Sequence, residues 1–381
     1  MKEITQPVIV FGVSHPTTLQ VIRSIGRKNI KVFLVTVGDF RYDILHYSKY
    51  VEKYVSFTSN DEAVRFLLTA NCTNEKPLIL VSGDDAALAV DAQKEKLSLK
   101  YHVPGSNKYT LDYLMRKHVM NEMASGVGLN VPKSVVLQKG DICNLSYPIL
   151  VKPSMSVEGS KSDIRICKTE EDLANYWNLS NLQTVLATEF IEKDYEVCIL
   201  CSKLRDMPAT ITGVVRKIRH MPLIYGARSY AKIQKCESLP NIPYSNICKL
   251  IDNTGYSGLL SIELLIKGDK AWFVELNYRA DGNMMAYTDA GCNLPYNCYL
   301  DCKESPVLLE QVKNNILNEV YVMTEGDFYH VTKYHDISLF EWFKDFKKAS
   351  SFIVFDRYDI KPFLMHKFID YKRRIYRRLK R

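Results

Sequence analysis

The 381-residue sequence lacks the signals that assign a chain to a membrane or to an extracellular compartment. It contains no uncharged apolar run of the length that a membrane-spanning helix needs. Its first residues, Met-Lys-Glu-Ile-Thr-Gln-Pro, do not have the layout of a signal peptide. We therefore expect a cytoplasmic protein, and the ordinary apolar content of 46% predicts a soluble globular chain of two or three domains.

The ten cysteines lack the pattern of a metal site or of a disulfide framework. Cys198 and Cys201 lie in a predicted strand, where an offset of three residues points their side chains to opposite faces. Cys292, Cys298 and Cys302 have neither paired C-x-x-C spacing nor a histidine partner. We expect reduced thiols of a cytosolic protein and no zinc site.

Net positive charge is scarce outside the C-terminal tail. The chain has a net charge of +8, and the segment from Lys367 onward holds eight basic residues against one acid, Asp370, so seven of the eight net charges lie there. The nearly neutral body argues against a nucleic-acid-binding surface. Apolar side chains recur in the tail at helical steps: Leu364, Phe368, Tyr371, Ile375 and Leu379. The pattern predicts a basic amphipathic helix that either contacts an anionic membrane through residues 364–381 or packs on the body.

The first hundred residues alternate between apolar strands and helical patterns. Strands are predicted over 7–11, 31–36 and 77–82, and helices over 18–27, 61–69 and 86–96. This alternation predicts a parallel, Rossmann-like α/β sheet. The turn at Gly12 lacks the G-x-G-x-x-G spacing, which argues against a dinucleotide cofactor. The turns after the strands contain four candidates for substrate contacts: Ser14, His15, Ser82 and Asp84. The alternative is that these residues only cap helices or form turns.

Two apolar runs late in the chain, 258–266 and 271–276, flank a Lys-Gly-Asp-Lys turn and predict a β-hairpin. Each run carries one carboxylate, Glu263 or Glu275. A three-residue loop or one bulge places these side chains opposite each other, with Asn277 on the same face. Two facing carboxylates repel each other, whereas a divalent cation between them makes the electrostatic interaction favourable. This set of oxygen-bearing side chains suits Mg²⁺ or Mn²⁺. The alternative is an edge strand with solvated glutamates.

Other positions fit a site for phosphates. Arg279, just past the hairpin, presents a planar fork for phosphate or carboxylate. Lys152 ends an apolar strand over 147–153 before a loop of small residues, where it either presents a cation to phosphates or only ends the strand. Glu189 and Glu196 bracket a turn and are placed to receive an adenine amino group and ribose hydroxyls.

These elements occur in a characteristic order. A lysine-bearing helix over 107–126 is followed by Gly-Leu-Asn-Val-Pro, Tyr-Pro-Ile-Leu-Val-Lys-Pro, Glu-Phe-Ile, Phe-Val-Glu-Leu-Asn-Tyr-Arg and Ala-Gly-Cys-Asn-Leu-Pro-Tyr. The order resembles the ATP-grasp superfamily, in the carboxylate–amine ligase branch that includes D-aspartate ligase and resembles the carbamoyl phosphate synthase large subunit. The resemblance covers about residues 7–300.

The resemblance implies an α/β and α+β protein in three parts. A Rossmann-like, pre-ATP-grasp domain would span 1–105, and an ATP-grasp domain 106–302, with its nucleotide-covering subdomain at about 120–190. A C-terminal extension would span 303–381.

The resemblance also implies a cofactor set of ATP with Mg²⁺ or Mn²⁺. The residues that match the nucleotide-binding positions are Lys117 and Lys152 on the phosphates, Gly159 and Ser160 in the covering loop, Glu189 with the backbone of Phe190 and Ile191 at the adenine, and Glu196 at the ribose. The metal ligands match Glu263, Glu275 and Asn277. The catalytic contacts match Lys152 and Arg279, with Arg216 and Arg228 where relatives place basic substrate contacts.

The implied activity is ATP-dependent amide formation. A small-molecule carboxylate would become an acyl phosphate, which an amine would attack to release phosphate and leave ADP; an amino acid or a cell-wall or capsule precursor fits. A homodimer is also expected. Two departures, the glycine-poor loop after Lys152 and Arg116 where many relatives have an acid, leave alternatives. These are an ATP-grasp kinase that phosphorylates a hydroxyl, or a non-catalytic nucleotide-binding protein.

Beyond residue 300 the resemblance fades. A helix is predicted over 305–322, and a docking or lid role for the extension is consistent with its position. Together with the basic tail, it motivates the hypothesis that the enzyme works at the inner face of a membrane on a lipid-linked precursor.

Overall fold

The structure is a computed structural model that describes residues 3–39, 43–72, 75–155, 163–223, 227–303, 312 and 315–379. The strands are β1 Glu3–Ile4, β2 Val8–Val13, β3 Val32–Val37, β4 Val51–Phe57, β5 Asn71–Cys72, β6 Leu78–Ser82, β7 Gly105–Ser106, β8 Ser134–Gln138, β9 Ile149–Pro153, β10 Arg165–Cys167, β11 Thr184–Glu189, β12 Tyr195–Lys203, β13 Val214–Met221, β14 Ala227–Gln234, β15 Tyr256–Lys267, β16 Lys270–Asn277, β17 Val320–Met323 and β18 Ala349–Phe352. The α-helices are α1 Pro16–Gly26, α2 Asn60–Thr69, α3 Asp84–Asp91, α4 Lys94–Ser98, α5 Leu111–Leu114, α6 Lys117–Gly126, α7 Glu170–Leu179, α8 Tyr244–Asn253, α9 Met284–Asp289, α10 Leu294–Cys302, α11 Leu339–Lys348 and α12 Lys361–Leu379.

The N-terminal part is the predicted parallel sheet, in the order β4-β3-β2-β6. The apolar runs of β2 and β3 occupy its centre, where both faces are covered and nearly every side chain is buried. Gly12 is required at the end of β2, because a Cβ there would collide with Ser82 on β6. The carboxyl ends of β2 and β6 therefore lie close together, at the edge where ligands gather in such sheets.

A second, antiparallel sheet follows in the order β10-β9-β11-β8. It has its own small core, in which Ile149, Val151 and Val185 from the strands meet Leu173 and Trp177 from α7. A capping box at Thr169 and Asp172 begins α7. This part contains β9, whose end carries Lys152.

The largest sheet runs in the order β16-β15-β12-β13-β14-β17-β18, with β7 paired to β15. Its neighbouring strands are antiparallel except for β17 and β18. The predicted hairpin, β15 with β16, forms one edge of this sheet, and α6 packs against β16. The sheet thus places the two glutamates near the start of α6.

The structure corrects three helix predictions. The predicted helix over 107–126 is interrupted at Met115–Arg116, where Arg116 bridges to Met155. The predicted helix over 86–96 is divided between α3 and α4. Residues 320–323 form β17 against β14 and are not helical as predicted over 305–322, and residues 305–311, 313 and 314 of that prediction lie outside the described residues.

The C-terminal tail is helical, as predicted. One side of α12, including Phe363, Met365 and Ile369, packs on the body. In the described part of the chain, no helix combines the length and the apolar content needed to cross a membrane.

Candidate functional site

The hairpin pairs Glu263 directly with Glu275. Its strands are joined by a tight turn, because Lys267 pairs with Lys270, and a bulge after Glu263 sets the register, which is the second of the two predicted alternatives. Asn277 lies on the same face as Glu275, and its Nδ2 donates a 3.3 Å hydrogen bond to Glu275 Oε1. The predicted arrangement of two carboxylates and one amide on one face is therefore present.

Glu275 is surrounded by positive charge. Burial alone would raise its pKa, but Lys117, Lys152 and Arg279 together outweigh burial and lower the pKa of this carboxyl. The carboxylate is thus ionised although it is partly withdrawn from water. Three cations, at the start of α6, in β9 and just after β16, thus act electrostatically on one carboxylate. Their role as phosphate-binding groups stays a prediction.

Both lysines are buried. Lys117 begins α6, and its backbone N–H donates to the Ser154 carbonyl at 3.1 Å, which ties the helix start to the end of β9. Lys152, 9% exposed, has its pKa lowered to about 8 by burial and by nearby Lys117, against the opposing effect of Glu275. A cation kept from solvent in this way gains strongly from a polyanionic ligand.

Arg279 connects the hairpin to the N-terminal sheet. Its Nε lies 3.3 Å from Asp84 Oδ1, and its Nη1 lies 3.9 Å from Asp281 Oδ2. Next to it, the Ala280 N–H donates to the Val81 carbonyl of β6 at 3.0 Å. The substrate-side edge predicted from the first hundred residues and the glutamate hairpin therefore meet at this arginine.

Asp84 is the substrate-side candidate that faces this junction. Burial raises its pKa, although Arg279 acts in the opposite direction. Its Oδ1 is buried and ion-paired with Arg279 Nε at 3.3 Å, but it accepts no hydrogen bond from the residues that the structure describes. Such an oxygen is suited to accept a hydrogen bond from a bound ligand.

The other three candidates at this edge have structural partners. Ser14 Oγ donates to Asp43 Oδ1 at 3.0 Å, and the Ser82 and Thr18 hydroxyls are 2.7 Å apart. His15 Nδ1 accepts from the Thr17 N–H at the start of α1. These contacts match the cap-and-turn alternative.

Lys217 is a site residue that the sequence analysis missed. Its Nζ lies 2.8 Å from Glu196 Oε2 and 3.0 Å from Glu263 Oε2, so one ammonium bridges the proposed ribose carboxylate and a proposed metal ligand. Burial opposes the charge of Lys217, but Glu263 and Glu196 outweigh it and raise its pKa. Burial likewise opposes ionisation of Glu196, whereas its contacts with His220, Lys217 and Lys193 hold its pKa far below the usual range.

The structure brings Arg228 to the site but not Arg216. Arg216 lies on the opposite face of β13 from Lys217, is exposed, and stacks over the Tyr195 ring at 4.3 Å. Arg228 is buried beside the segment that follows Arg279: it donates to the Gly282 carbonyl at 2.7 Å and contacts Asn283. The catalytic assignment of Arg216 is thus corrected, and its place facing the glutamates is taken by Lys217.

The predicted adenine hinge joins the small sheet to the large one. The Glu189 N–H donates to the Lys133 carbonyl at 2.8 Å, and the Phe190 N–H donates to the Pro148 carbonyl at 3.2 Å. Ile191 is buried at the start of the turn that leads to β12. An adenine ring would therefore use hinge groups other than these two amides. The predicted loop residues Gly159 and Ser160 lie outside the described residues.

The donor set fits a hard divalent cation. Glu263, Glu275 and Asn277 carry side-chain oxygens on adjacent strands, and oxygen ligands are those that Mg²⁺ and Mn²⁺ prefer. Among the described residues, no cluster of three or more histidine, cysteine, aspartate or glutamate side chains is arranged to hold a metal. A cation here would need phosphate oxygens to complete its shell, and it would compete with Lys217 for Glu263.

No protein-family model matches the chain. It is similar in sequence to formate-dependent phosphoribosylglycinamide formyltransferases. The protein from Dechloromonas aromatica (strain RCB) is 27% identical over 150 residues, which is 35% of each chain. The protein from Methanococcus maripaludis is 26% identical over 227 residues, which is 56% of each chain. The chain thus spans between about a third and just over half the length of these relatives.

Solved structures share the fold over most of the chain. N5-carboxyaminoimidazole synthetase from Staphylococcus aureus, complexed with ADP, has a TM-score of 0.66 at 13% identity and covers 88% of this chain and 87% of its own. L-amino acid ligase from Bacillus licheniformis has a TM-score of 0.63 at 15% identity, and the match covers 84% of this chain and 80% of the ligase chain. At these identities the likeness concerns the fold.

Proposed function

We propose that this chain, a member of the carboxylate–amine ligase branch of the ATP-grasp superfamily, uses ATP to join a carboxylate to an amine. Its fold is a Rossmann-like N-terminal sheet followed by the ATP-grasp fold. The observation that carries the proposal is the pairing of Glu263 with Glu275 across the hairpin, in the electrostatic field of Lys117, Lys152 and Arg279. Two carboxylates close to several cations suit a metal–nucleotide complex, because the carboxylates can hold the metal and the cations can bind the phosphates. The division at residues 105 and 302 stays a prediction.

The proposed nucleotide lies between the small sheet and the large sheet. Lys117 and Lys152 would bind its phosphates, and Glu196 would accept from the ribose hydroxyls. Glu263, Glu275 and Asn277 would hold Mg²⁺ or Mn²⁺, which supplies charge neutralisation for the transferred phosphoryl group. A structural neighbour that binds ADP with the same fold supports use of this nucleotide.

The proposed chemistry has two steps. A substrate carboxylate attacks the γ-phosphorus of ATP, and Lys152 and Arg279 stabilise the charge that develops on the phosphoryl oxygens, giving an acyl phosphate and ADP. The substrate amine then attacks the activated carbonyl and expels phosphate, which leaves an amide. The residues mainly position reactants and exclude water, because water would hydrolyse the acyl phosphate.

The substrate would lie at the junction between Arg279 and the N-terminal sheet. Arg228 and Arg279 supply positive charge for a carboxylate or an acyl phosphate. Asp84 supplies a buried oxygen that is ion-paired with Arg279 but accepts no hydrogen bond from the described residues, which suits the N–H groups of an amine. A carboxylate substrate and an amine substrate would thus both have complementary groups near Arg279.

The test is ADP release across a panel of carboxylates and amines, with mass spectrometry of the product. We expect an amide and one ADP per amide, and Glu275→Gln should lower turnover by about a thousandfold. A phosphorylated product that needs no amine would identify a kinase instead. Turnover by Glu275→Gln equal to that of the parent would contradict the metal-ligand assignment.

We further propose that the enzyme is cytoplasmic and contacts an anionic membrane through α12, acting on a cell-wall or capsule precursor. The stripe predicted from the sequence is exposed along this helix at Leu364, Phe368, Tyr371 and Ile375. The check is sedimentation with anionic vesicles of the parent and of Lys367→Gln/Lys372→Gln; equal binding would contradict the contact. A homodimer also stays a proposal, and light scattering tests it.

A further inference from the structure

Helix α11, outside the site, is almost unpartnered. None of its ten residues is buried. Phe340 is 80% exposed, and other large apolar side chains beside it are also exposed: Leu339, Phe343 and Phe346. Isolated exposed apolar residues are ordinary, but a contiguous set on one short helix indicates a surface that contacts something else.

Aromatic rings connect α11 to the tail helix. Ring centroids are 5.1 Å apart for Trp342 and Phe346, 5.8 Å for Phe346 and Phe352, 5.8 Å for Phe352 and Phe355, and 5.4 Å for Phe355 and Phe363, at the start of α12. Beyond Phe363, the exposed stripe of α12 continues through Leu364 and Phe368. The two helices therefore present one connected apolar surface.

The orientation of α11 is fixed from its polar side. Arg219 on β13 lies 2.6 Å from Asp345 of α11 and 2.7 Å from Asp327. Ser338 and Glu341 form a capping box at the start of the helix. Both acidic side chains of α11 are thus engaged within the protein, and the anchor leaves the apolar side outward.

The charges that remain on α11 are positive, and on α12 the one acid among the described residues, Asp370, lies 3.9 Å from His366. Lys344, Lys347 and Lys348 are exposed on α11. Ammonium groups lie close to the apolar rings, with Lys347 Nζ 4.7 Å from the Phe343 centroid and Lys372 Nζ 4.4 Å from that of Phe368. Lysine heads beside exposed rings are typical of helices that lie at the headgroup level of a bilayer.

We propose that α11 and α12 form one docking surface for an anionic lipid bilayer, into which Phe340 and Phe343 insert. The defined surface consists of Leu339, Phe340, Phe343, Phe346, Leu364, Phe368, Tyr371 and Ile375. Charge complementarity favours lipid over a second copy of the chain, because a symmetric contact would bring the lysines of α11 against one another. The proposal extends the membrane contact to a second helix and does not depend on the ligase chemistry.

The experiment measures partition of the full chain onto vesicles of phosphatidylcholine with or without phosphatidylserine. We expect binding to the anionic vesicles only, with about a tenfold loss in Phe340→Ser/Phe343→Ser. Lys344→Gln/Lys347→Gln should lower partition onto the anionic vesicles by about fivefold or more. The matched control replaces exposed leucines elsewhere, Leu99→Ser/Leu179→Ser, and should bind as the parent does. ATP turnover of each variant checks folding.

Several results would overturn the proposal. One is a parent that does not sediment with anionic vesicles, or that binds neutral vesicles equally well. Another is equal binding by Phe340→Ser/Phe343→Ser, which would leave the tail contact intact but remove α11 from it. A third is self-association in light scattering that the same substitutions abolish, since this would identify a second copy as the partner.

Discussion

Replacing Lys152 by methionine should stabilise the unliganded protein below neutral pH while it removes ATP turnover. The ammonium of Lys152 is 9% exposed, and its pKa is about 8 instead of the ordinary 10.5. Burial is the largest cause, and Glu275 offsets it only in part. In the unliganded protein, the buried ammonium therefore lowers the free energy of unfolding, because the surrounding groups do not fully compensate its charge until phosphates bind.

The size and the sign of the expected change in the free energy of unfolding follow from proton linkage. Below about pH 8 the lysine is charged in both states, and the lowered pKa corresponds to roughly 3 kcal/mol of lost stability. Between pH 8 and 10.5 the unfolded chain binds the proton and the folded chain does not, so the free energy of unfolding rises with pH. Relative to the parent, Lys152→Met should gain about 2 kcal/mol more at pH 7 than at about pH 9.5.

The assay is chemical denaturation of both proteins at the two pH values in EDTA without nucleotide. Tyrosine and cysteine titrations are common to both proteins and cancel in the difference. Lys139→Met, at an exposed lysine, is the matched control. Its free energy of unfolding should differ from that of the parent by nearly zero at both pH values. A Lys152→Met difference independent of pH, or one that grows with pH, would refute the reasoning.

Two further predictions concern basic residues of β13 and β14. Lys217→Met leaves Glu196 and Glu263 without their shared cation, and the free energy of unfolding should fall by about 2–4 kcal/mol at pH 7. Because the pKa of Glu196 is lowered in the folded state, this loss should shrink as denaturation is measured further below pH 4.5, the ordinary value. Arg228→Met should lower kcat/KM by about tenfold or more, whereas steady-state kinetics of Arg216→Met should change less than about twofold; equal effects would contradict the face assignment.

Local pattern was sufficient for the hairpin and for the N-terminal sheet. Alternation within 258–276 fixes which side chains share a face, so the pairing of Glu263 with Glu275 could be predicted without knowledge of any distant contact. The buried strands β2, β3 and β6 are continuous apolar runs bounded by turns, a pattern that is also local. The resemblance to ATP-grasp proteins added Lys117, which no periodicity singles out.

Contacts between distant segments explain what the sequence did not predict. Whether Arg216 or Lys217 faces the glutamates depends on the register of β13 against β12, about twenty residues away. The strand β17 exists because β14 pairs with it, although its residues also fit a helix. The docking surface likewise depends on the anchor between Arg219 and Asp345, which are far apart in sequence.

The most direct test of the central claim is a crystal structure with Mn²⁺ and a non-hydrolysable ATP analogue, read through the anomalous signal of manganese. The account predicts a peak within coordination distance of Glu263, Glu275 and Asn277 and of the analogue's phosphates, with Lys217 moved off Glu263. A nucleotide bound elsewhere, or a map without a peak in which Lys217 still bridges Glu196 and Glu263, would contradict it.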